Sequence, residues 1–514
     1  MAQENVYEKE SIAMANPLYQ ALFAPLSGLD RPFLYLHDGA TLSGDTFYRM
    51  TARYANALGA AGVNTGARVV VQAAKSPRML AVYGAAVMAG AVFLPLNTAY
   101  TAEELEYFVS DCGASLLLVD PSRVEALAPL ARKLGVRLES LGDDGSFDAI
   151  AQGCADSFSV VSRGENDLTA LLYTSGTTGR SKGAMLTQRN LLSNAQTLVD
   201  LWRFGPEDVL LHALPIFHTH GLFVASNVSL LAGASMIFLP KFGIEQVFDA
   251  LPRATAMMGV PTFYTRMLED PRLNRETVGH MRLFVSGSAP LLSETHVTWS
   301  ERTGHAILER YGMTETNMLT SNPYEGARRA GTVGKPLPGV ELRIADPDTG
   351  AEVPRGETGM IEVRGPNVFK GYWQMPEKTA AEFRKDGFFK TGDLGLIDDQ
   401  GYVNIVGRAK DLIISGGYNV YPKEVEIVLD EMPGVAESAV IGLPHPDFGE
   451  AVVAVLAKGD TAPDIDRIEG ALRDKLARYK QPKAYIVLPE LPRNTMGKVQ
   501  KAALRQQYQE HFKK

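Results

Sequence analysis

Cysteine is nearly absent: 514 residues hold two, Cys112 and Cys154, with no Cys-x-x-Cys pair and no His/Cys cluster. This excludes a disulfide framework and a structural zinc site, and it fits a reducing compartment. An excess of positive charge is absent too. Lys and Arg number 51 against 59 Asp and Glu, a formal net charge of −8 with no clustered basic stripe, which argues against a nucleic-acid partner. No apolar run is long enough to span a bilayer. The longest, Met79 to Leu96, is rich in Ala and Gly and broken by Tyr83 and Pro95, so it predicts a buried helix running into a strand. Residues 1–16 are polar and acidic, without the basic and apolar regions of a signal peptide, and His511-Phe512-Lys513-Lys514 is no peroxisomal address. The expectation is a cytoplasmic protein whose partners are small molecules, with no membrane and no nucleic acid.

What is present is apolar mass: 45% of residues are hydrophobic and 21% charged, enough for large cores in about two to four domains. Short continuous apolar runs recur with helical stretches between them, at 68–72, 92–96, 115–119, 236–239, 256–259 and 282–285. Without period-two alternation they predict parallel strands covered on both faces, an α/β body. From Gly331 to Val406 the texture changes to Gly/Pro-rich turns between alternating strands, a small β subdomain. Beyond it the pattern is compact α+β, with helices expected at 422–431 and 466–479 and strands near 435–442 and 451–457. The expected domains are therefore a body over 1–409, with the β-rich part at about 331–406, and a C-terminal domain over 410–514.

Residues 173–183 read Tyr-Thr-Ser-Gly-Thr-Thr-Gly-Arg-Ser-Lys-Gly directly after an apolar run. Gly176, Gly179 and Gly183 free backbone N–H groups to turn toward an anion, Thr174, Ser175, Thr177 and Thr178 add hydroxyl donors, and Lys182 adds a point charge. A loop of this kind suits a triphosphate. It is not the Gly-x-x-x-x-Gly-Lys-[Ser/Thr] loop, so a different nucleotide fold is implied. A helix is expected to follow at 188–198.

Further blocks stand in order: His212 to Gly221 (HALPIFHTHG), Tyr311 to Thr316 (YGMTET), Thr391-Gly392-Asp393, Gly407 to Pro422, and Pro492 to Lys498 (PRNTMGK). Together with 173–183 they resemble the adenylate-forming superfamily of acyl-CoA synthetases, peptide-synthetase adenylation domains and luciferases, over nearly the whole chain. Residues 212–223 and 263–266 are most similar to malonyl-CoA synthetases. The resemblance implies an AMP-forming ligase in two half reactions: carboxylate and ATP give acyl-adenylate and pyrophosphate, then coenzyme A gives the thioester and AMP. It implies ATP, Mg2+ and coenzyme A, and a small mobile C-terminal domain that rotates about Lys410 between the two steps. The alternatives are a CoA ligase for another short or aromatic acid, or an adenylation enzyme that loads a carrier protein.

Carried over residue by residue, the resemblance puts Lys498 on the carboxylate and α-phosphate oxygens, Thr314 on the α-phosphate, and Glu315 with Thr174 at the metal. That assignment fits the chemistry, since bringing two anions together calls for charge neutralisation and in-line positioning. Magnesium in turn takes few carboxylates besides phosphate and water. Tyr311 would stack on adenine, Asp393 in its turn would accept both ribose hydroxyls, and Arg408 would assist. Ser288, Ala289, Glu309, Gly312 and Met313 would complete the nucleotide site, and Ser415-Gly416-Gly417 the thiol channel. His218 would touch the carboxylate. A dicarboxylate must have its distal charge paired on burial, which calls for an arginine in the acyl pocket. Arg266 is the leading candidate, Arg282 its competitor, with Ser286, Ser288 and His220 completing the clamp. Lys498 is also a candidate for reversible acylation by a modifying enzyme.

Overall fold

In the computed structural model, residues 16–174, 181–415, 418–494 and 497–512 are described. The chain forms two compact units that do not follow chain order. The first takes Met1–Met258, Thr314–Asn317 and Pro366–Pro376, and the second takes Gly259–Met313, Met318–Gly365 and Glu377–Lys514.

The continuous apolar runs become strands. In the first unit a six-stranded sheet has the order Arg137–Ser140, Leu116–Val119, Arg68–Gln72, Val92–Pro95, Leu168–Thr174, Lys182–Thr187. Val69, Val70 and Val71 are fully buried, as expected of a parallel strand covered on both faces. The Met79 to Leu96 stretch folds as helix Pro77–Ala89 followed by strand Val92–Pro95. Ser76 caps that helix by accepting from Met79 N, Pro77 sits at its first position, and Gly90 closes it at φ 67°. A second set of strands runs Ala256–Gly259, Val209–His212, Ser235–Phe238, Pro32–Leu36 in parallel, with Thr41–Ser43 antiparallel at the end.

One departure from the expected parallel pattern bears on the site. Leu168–Thr174 and Lys182–Thr187 form an antiparallel pair, so the residues on either side of 175–180 belong to one sheet. The helix follows at Gln188–Trp202, started by a capping box of Thr187 and Asn190. Residues 370–373 then cover the hairpin's edge, with Met185 N donating to Gly371 O at 3.0 Å and Trp373 N to Gly183 O at 2.8 Å.

In the second unit Leu283–Ser286 and Leu308–Met313 pair in parallel, with Ser286 opposite Glu309. Glu341–Ala345, Gly359–Arg364, Phe389–Ile397 and Val403–Arg408 make a four-stranded antiparallel sheet. The 3-10 turn Ala409–Asp411 leads from it to a five-stranded sheet built on Val435–His445 and Gly449–Lys458, flanked by helices Pro422–Asp430 and Ile465–Lys475. The second helix is shorter than expected: it stops at Lys475, and a separate 3-10 turn covers Arg478–Lys480. Among the described residues no helix is long and apolar enough to cross a membrane.

Candidate active site

In the first unit strands Leu168–Thr174 and Lys182–Thr187 pair Thr174 with Lys182, and Thr174 Oγ1 donates to Lys182 O at 3.5 Å. Ser175, Gly176, Thr177, Thr178 and Gly179 lie outside the described residues. Lys182 holds its ammonium 4.3 Å from the centre of the Tyr372 ring, and Tyr372 donates its hydroxyl to Glu315 Oε1 at 3.0 Å. A cation, an aromatic ring and a carboxylate thus form one chain of contacts beside the hydroxyl-rich segment. Backbone pairing holds it in place: Phe369 N donates to Glu315 O at 2.7 Å, and Tyr372 bridges to Ala184 of the hairpin. Thr314 and Glu315 stand in the turn that follows strand Leu308–Met313. Gly312 and Met313 are the half-buried last residues of that strand. Sequence reasoning missed Tyr372; its signal was the aromatic run Tyr372-Trp373 after Gly371.

A second arrangement in the same unit was not foreseen. Lys75 donates from Nζ to His212 Nδ1 at 2.9 Å and to His212 O at 2.7 Å. A carbonyl can only accept, so His212 donates from Nε2 to Gly221 O at 2.8 Å, and the neutral ring accepts at Nδ1. Burial, and then the Lys75 charge, hold His212 well below its ordinary pKa, which keeps the ring neutral. Gly221 belongs to a π-helical segment, His220–Ser226, whose widened turn leaves the Gly221 carbonyl to Ser226 Oγ and His212 Nε2, which both donate to it. His220 opens that segment and is buried, whereas His218, just before it, is half-buried with its ring 4.8 Å from that of Phe217.

In the second unit Tyr311 donates its hydroxyl to Asp393 Oδ2 at 2.5 Å, and Arg408 Nε meets Asp393 Oδ1 at 2.9 Å. Asp393 is buried, and its backbone N is held by Thr391 Oγ1 at 3.1 Å. The expected Thr-Gly-Asp turn is instead part of strand Phe389–Ile397, with Gly392 at φ 74° giving the kink that a turn would have supplied. Each carboxylate oxygen keeps an acceptor site beyond its protein partner, so the group can still receive hydroxyl donors. Burial, reinforced by Asp393, pushes the Tyr311 hydroxyl well above its ordinary pKa, so it stays a donor. Glu309, on the same strand, pairs with His296 Nδ1 at 3.5 Å; burial raises its pKa.

Ser286 ends its strand buried, with a hydroxyl that has no hydrogen-bond partner, and Ser288 adopts a left-handed φ of 72°, a conformation that clusters at functional sites. Half-buried Ala289 follows. Arg266 lies on helix Pro261–Glu269 four residues after Thr262, on the same face, and its side chain is exposed. A Cβ on Gly497 would stand 3.6 Å from Thr262, so the turn carrying exposed Lys498 lies against this helix. Arg282 is not with Ser286: it precedes the opposite end of strand Leu283–Ser286 and lies 5.4 Å from the centre of the Tyr324 ring. Ser415 is buried opposite Tyr418; Gly416 and Gly417 lie outside the described residues. Lys410 is exposed in the 3-10 turn between the two sheets.

Two family models match: AMP-binding enzyme over residues 25–373, and AMP-binding enzyme C-terminal domain over 424–498. The chain belongs to the AMP-binding enzyme family. This AMP-binding enzyme is 37% identical over 476 residues to the malonate–CoA ligase of Arabidopsis thaliana, covering 86% of this chain and 78% of that one. It is 38% identical over 477 residues to feruloyl-CoA synthase of an Amycolatopsis species, covering 92% and 95%. Among solved structures it is similar to ATP-bound MatB from Rhodopseudomonas palustris, with a TM-score of 0.95 and 56% identity over 97% of this chain and all of that one. As an AMP-binding enzyme it offers a buried carboxylate flanked by a donor and a guanidinium, and a separate cation–aromatic–carboxylate chain beside a hydroxyl-rich loop. The first suits a diol, the second a polyphosphate with a divalent metal.

Proposed function

We propose that this chain is a malonate–CoA ligase, forming malonyl-CoA from malonate, ATP and coenzyme A through malonyl-adenylate, with release of pyrophosphate and AMP. Methylmalonate is a secondary substrate, since one methyl group discriminates only modestly. The reading rests on the similarity, over 86% of this chain, to a relative named malonate–CoA ligase, and the chemistry of the site supports it.

Asp393 receives the ribose hydroxyls in this reading, with Tyr311 and Arg408 fixing both its oxygens. Thr174, Ser175, Gly176, Thr177, Thr178, Gly179 and Lys182 surround the phosphates, and Thr314 bonds the α-phosphate. Ser288, Ala289, Gly312 and Met313 line the adenine side. Magnesium fits a single carboxylate, Glu315: among the described residues no cluster of three acidic, His or Cys ligands exists, and a phosphate-bound Mg2+ needs none. When bound, the metal supplies charge neutralisation for the departing pyrophosphate. Lys498, on a turn against helix Pro261–Glu269, places its ammonium between the carboxylate and the α-phosphate. His218 and His220 hold the acid, and His212 with Lys75 fixes the segment that carries them.

Residues 410–514 act as a mobile domain about Lys410, with Ser415, Gly416 and Gly417 along the thiol's path. Lys498 is exposed and chemically open to acylation by a modifying enzyme, which would remove the charge that adenylation needs. A cytosolic location belongs to the same reading, supported by two cysteines that stay unpaired. A ligase for an aromatic acid is the second reading, favoured by 38% identity to feruloyl-CoA synthase. Incubation with ATP, Mg2+, coenzyme A and a panel of malonate, methylmalonate, propionate and ferulate, followed by mass identification of the thioester, separates the two. Malonyl-CoA and AMP should dominate. Feruloyl-CoA as the main product, or ADP in place of AMP, would overturn the proposal.

A further inference from the structure

The turn that carries Lys498 is tied to the rest of its domain by an arginine that none of the roles above employs. Arg493 pairs with Val499 as an antiparallel bridge, Gln500 N donates to Pro492 O at 2.8 Å, and Asn494 N donates to Lys498 O at 2.9 Å, so 492–494 and 498–500 close a narrow loop. Within it Gly497 takes a φ of 75° and donates from its N–H to Asn494 O at 2.9 Å, while Asn494 Oδ1 accepts from Lys498 N at 3.0 Å. These bonds close the loop on itself; Arg493 leads out of it. Its Nη1 donates to Gly497 O at 2.5 Å, and its Nη2 donates to Glu437 Oε2. Glu437 is half-buried on strand Val435–His445, opposite Ala457. Beyond Lys498 the chain is tied down again, by Lys501 Nζ donating at 2.5 Å to Glu426 Oε1, which also accepts from Val440 N at 2.8 Å.

A lysine that must stand between two anions depends on a fixed backbone, because its own long stem is flexible and an error of about 1 Å in placement is enough to slow a reaction about 100-fold. The guanidinium fork suits the task of fixing it. One arm holds the carbonyl of the residue just before Lys498, the other a carboxylate on the sheet, and a single ammonium has no such pair of preset directions. Arg493 and Glu437 are both partly exposed, so their contact adds little to overall stability and its worth lies in geometry. Resting on the reading of Lys498 as the cation of adenylation, we propose that Arg493 is a positioning residue for that step: anchored by Glu437, it fixes the Gly497 carbonyl and with it the point from which Lys498 reaches the carboxylate and the α-phosphate. It acts through Lys498 and touches neither substrate.

The test follows the full-length enzyme in two assays: malonate-dependent pyrophosphate exchange for adenylation, and conversion of supplied malonyl-adenylate by coenzyme A for the second step. Arg493→Met should lower the kcat of exchange about 10- to 100-fold, with KM for ATP and malonate and the rate of the second step all within about threefold of the wild type. Glu437→Gln leaves the arginine in place without its anchoring charge and should lower exchange by about 3- to 10-fold. It also decides the matter if Arg493→Met fails to fold. The double variant should lose no more than Arg493→Met alone, because both substitutions break one chain of contacts. A merely structural role would instead lower both steps and the urea midpoint together. The inference is overturned if Arg493→Met, or in its place Glu437→Gln, keeps wild-type exchange, if the two steps fall in parallel, or if the losses of the two single variants multiply in the double one. The reading beneath it fails separately: full exchange in Lys498→Ala would remove the role of Lys498 itself, whereas lost exchange in Lys498→Ala beside an unimpaired Arg493→Met overturns the positioning alone.

Discussion

Asp393 shows what a single residue can be asked to do. A buried carboxylate must be matched by donors, and this one has two fixed ones, Tyr311 at 2.5 Å and Arg408 at 2.9 Å. Their office is to orient it, which leaves its remaining lone pairs at fixed positions for a vicinal diol. Asp393→Asn keeps the size but removes the charge that holds Arg408 and turns one acceptor into a donor. The ATP KM should rise about 10- to 100-fold, the worth of one or two charge-assisted hydrogen bonds, while the acid's KM changes much less. Steady-state kinetics with ATP and malonate varied separately checks this. An equal rise in both constants would mean that Asp393 supports the whole fold and not the nucleotide. Because the Tyr311 proton is held so firmly by burial, ATP binding should show no inflection from that hydroxyl between about pH 6 and 9.

At the scale of elements, the π-helical segment His220–Ser226 is the feature whose geometry is most tightly specified. A Cβ on Gly221 would stand 2.0 Å from Pro215 O, a backbone atom that cannot swing away. Gly221→Ala should therefore destabilise the protein by about 3 kcal/mol or more, by forcing the turn apart. Gly470 is the comparison: it lies inside helix Ile465–Lys475 with nothing within 4 Å of its Cβ position, so Gly470→Ala should stabilise by about 0.5–1 kcal/mol. Urea unfolding of the two variants measures both signs. Elements of this kind also mark where sequence reading succeeds and where it fails. The strands at 68–72 and 256–259 were legible to the residue, because a run buried on both faces needs continuous hydrophobicity. The hairpin at 168–187 was not, since its second strand, Lys182–Thr187, mixes polar and apolar residues and is held by residues 370–373, far away in sequence. The π-turn left no signal beyond a glycine. Tyr372 went unread for a related reason: it matters through its partner Glu315, which no single-residue pattern encodes.

Over the whole molecule, the proposed division of labour between the two half reactions rests on the turn that carries Lys498. Gly497 takes a φ of 75° and lies against Thr262, on the helix face that also bears Arg266, so Lys498 is presented beside helix Pro261–Glu269 of its own compact unit. An ammonium there acts on the step in which two anions approach each other; attack of a thiol on the finished mixed anhydride brings no such repulsion. The two chemistries should therefore part company in one variant. Lys498→Ala should lose adenylation, read as malonate-dependent pyrophosphate exchange, by about 100-fold or more, the scale of removing one transition-state charge contact. The same variant, supplied with malonyl-adenylate and coenzyme A, should still form malonyl-CoA within about tenfold of the wild-type rate, followed by mass. Parallel loss of both steps would place Lys498 in the structure of the site and not in its first reaction, and would remove the reason for a domain that moves about Lys410.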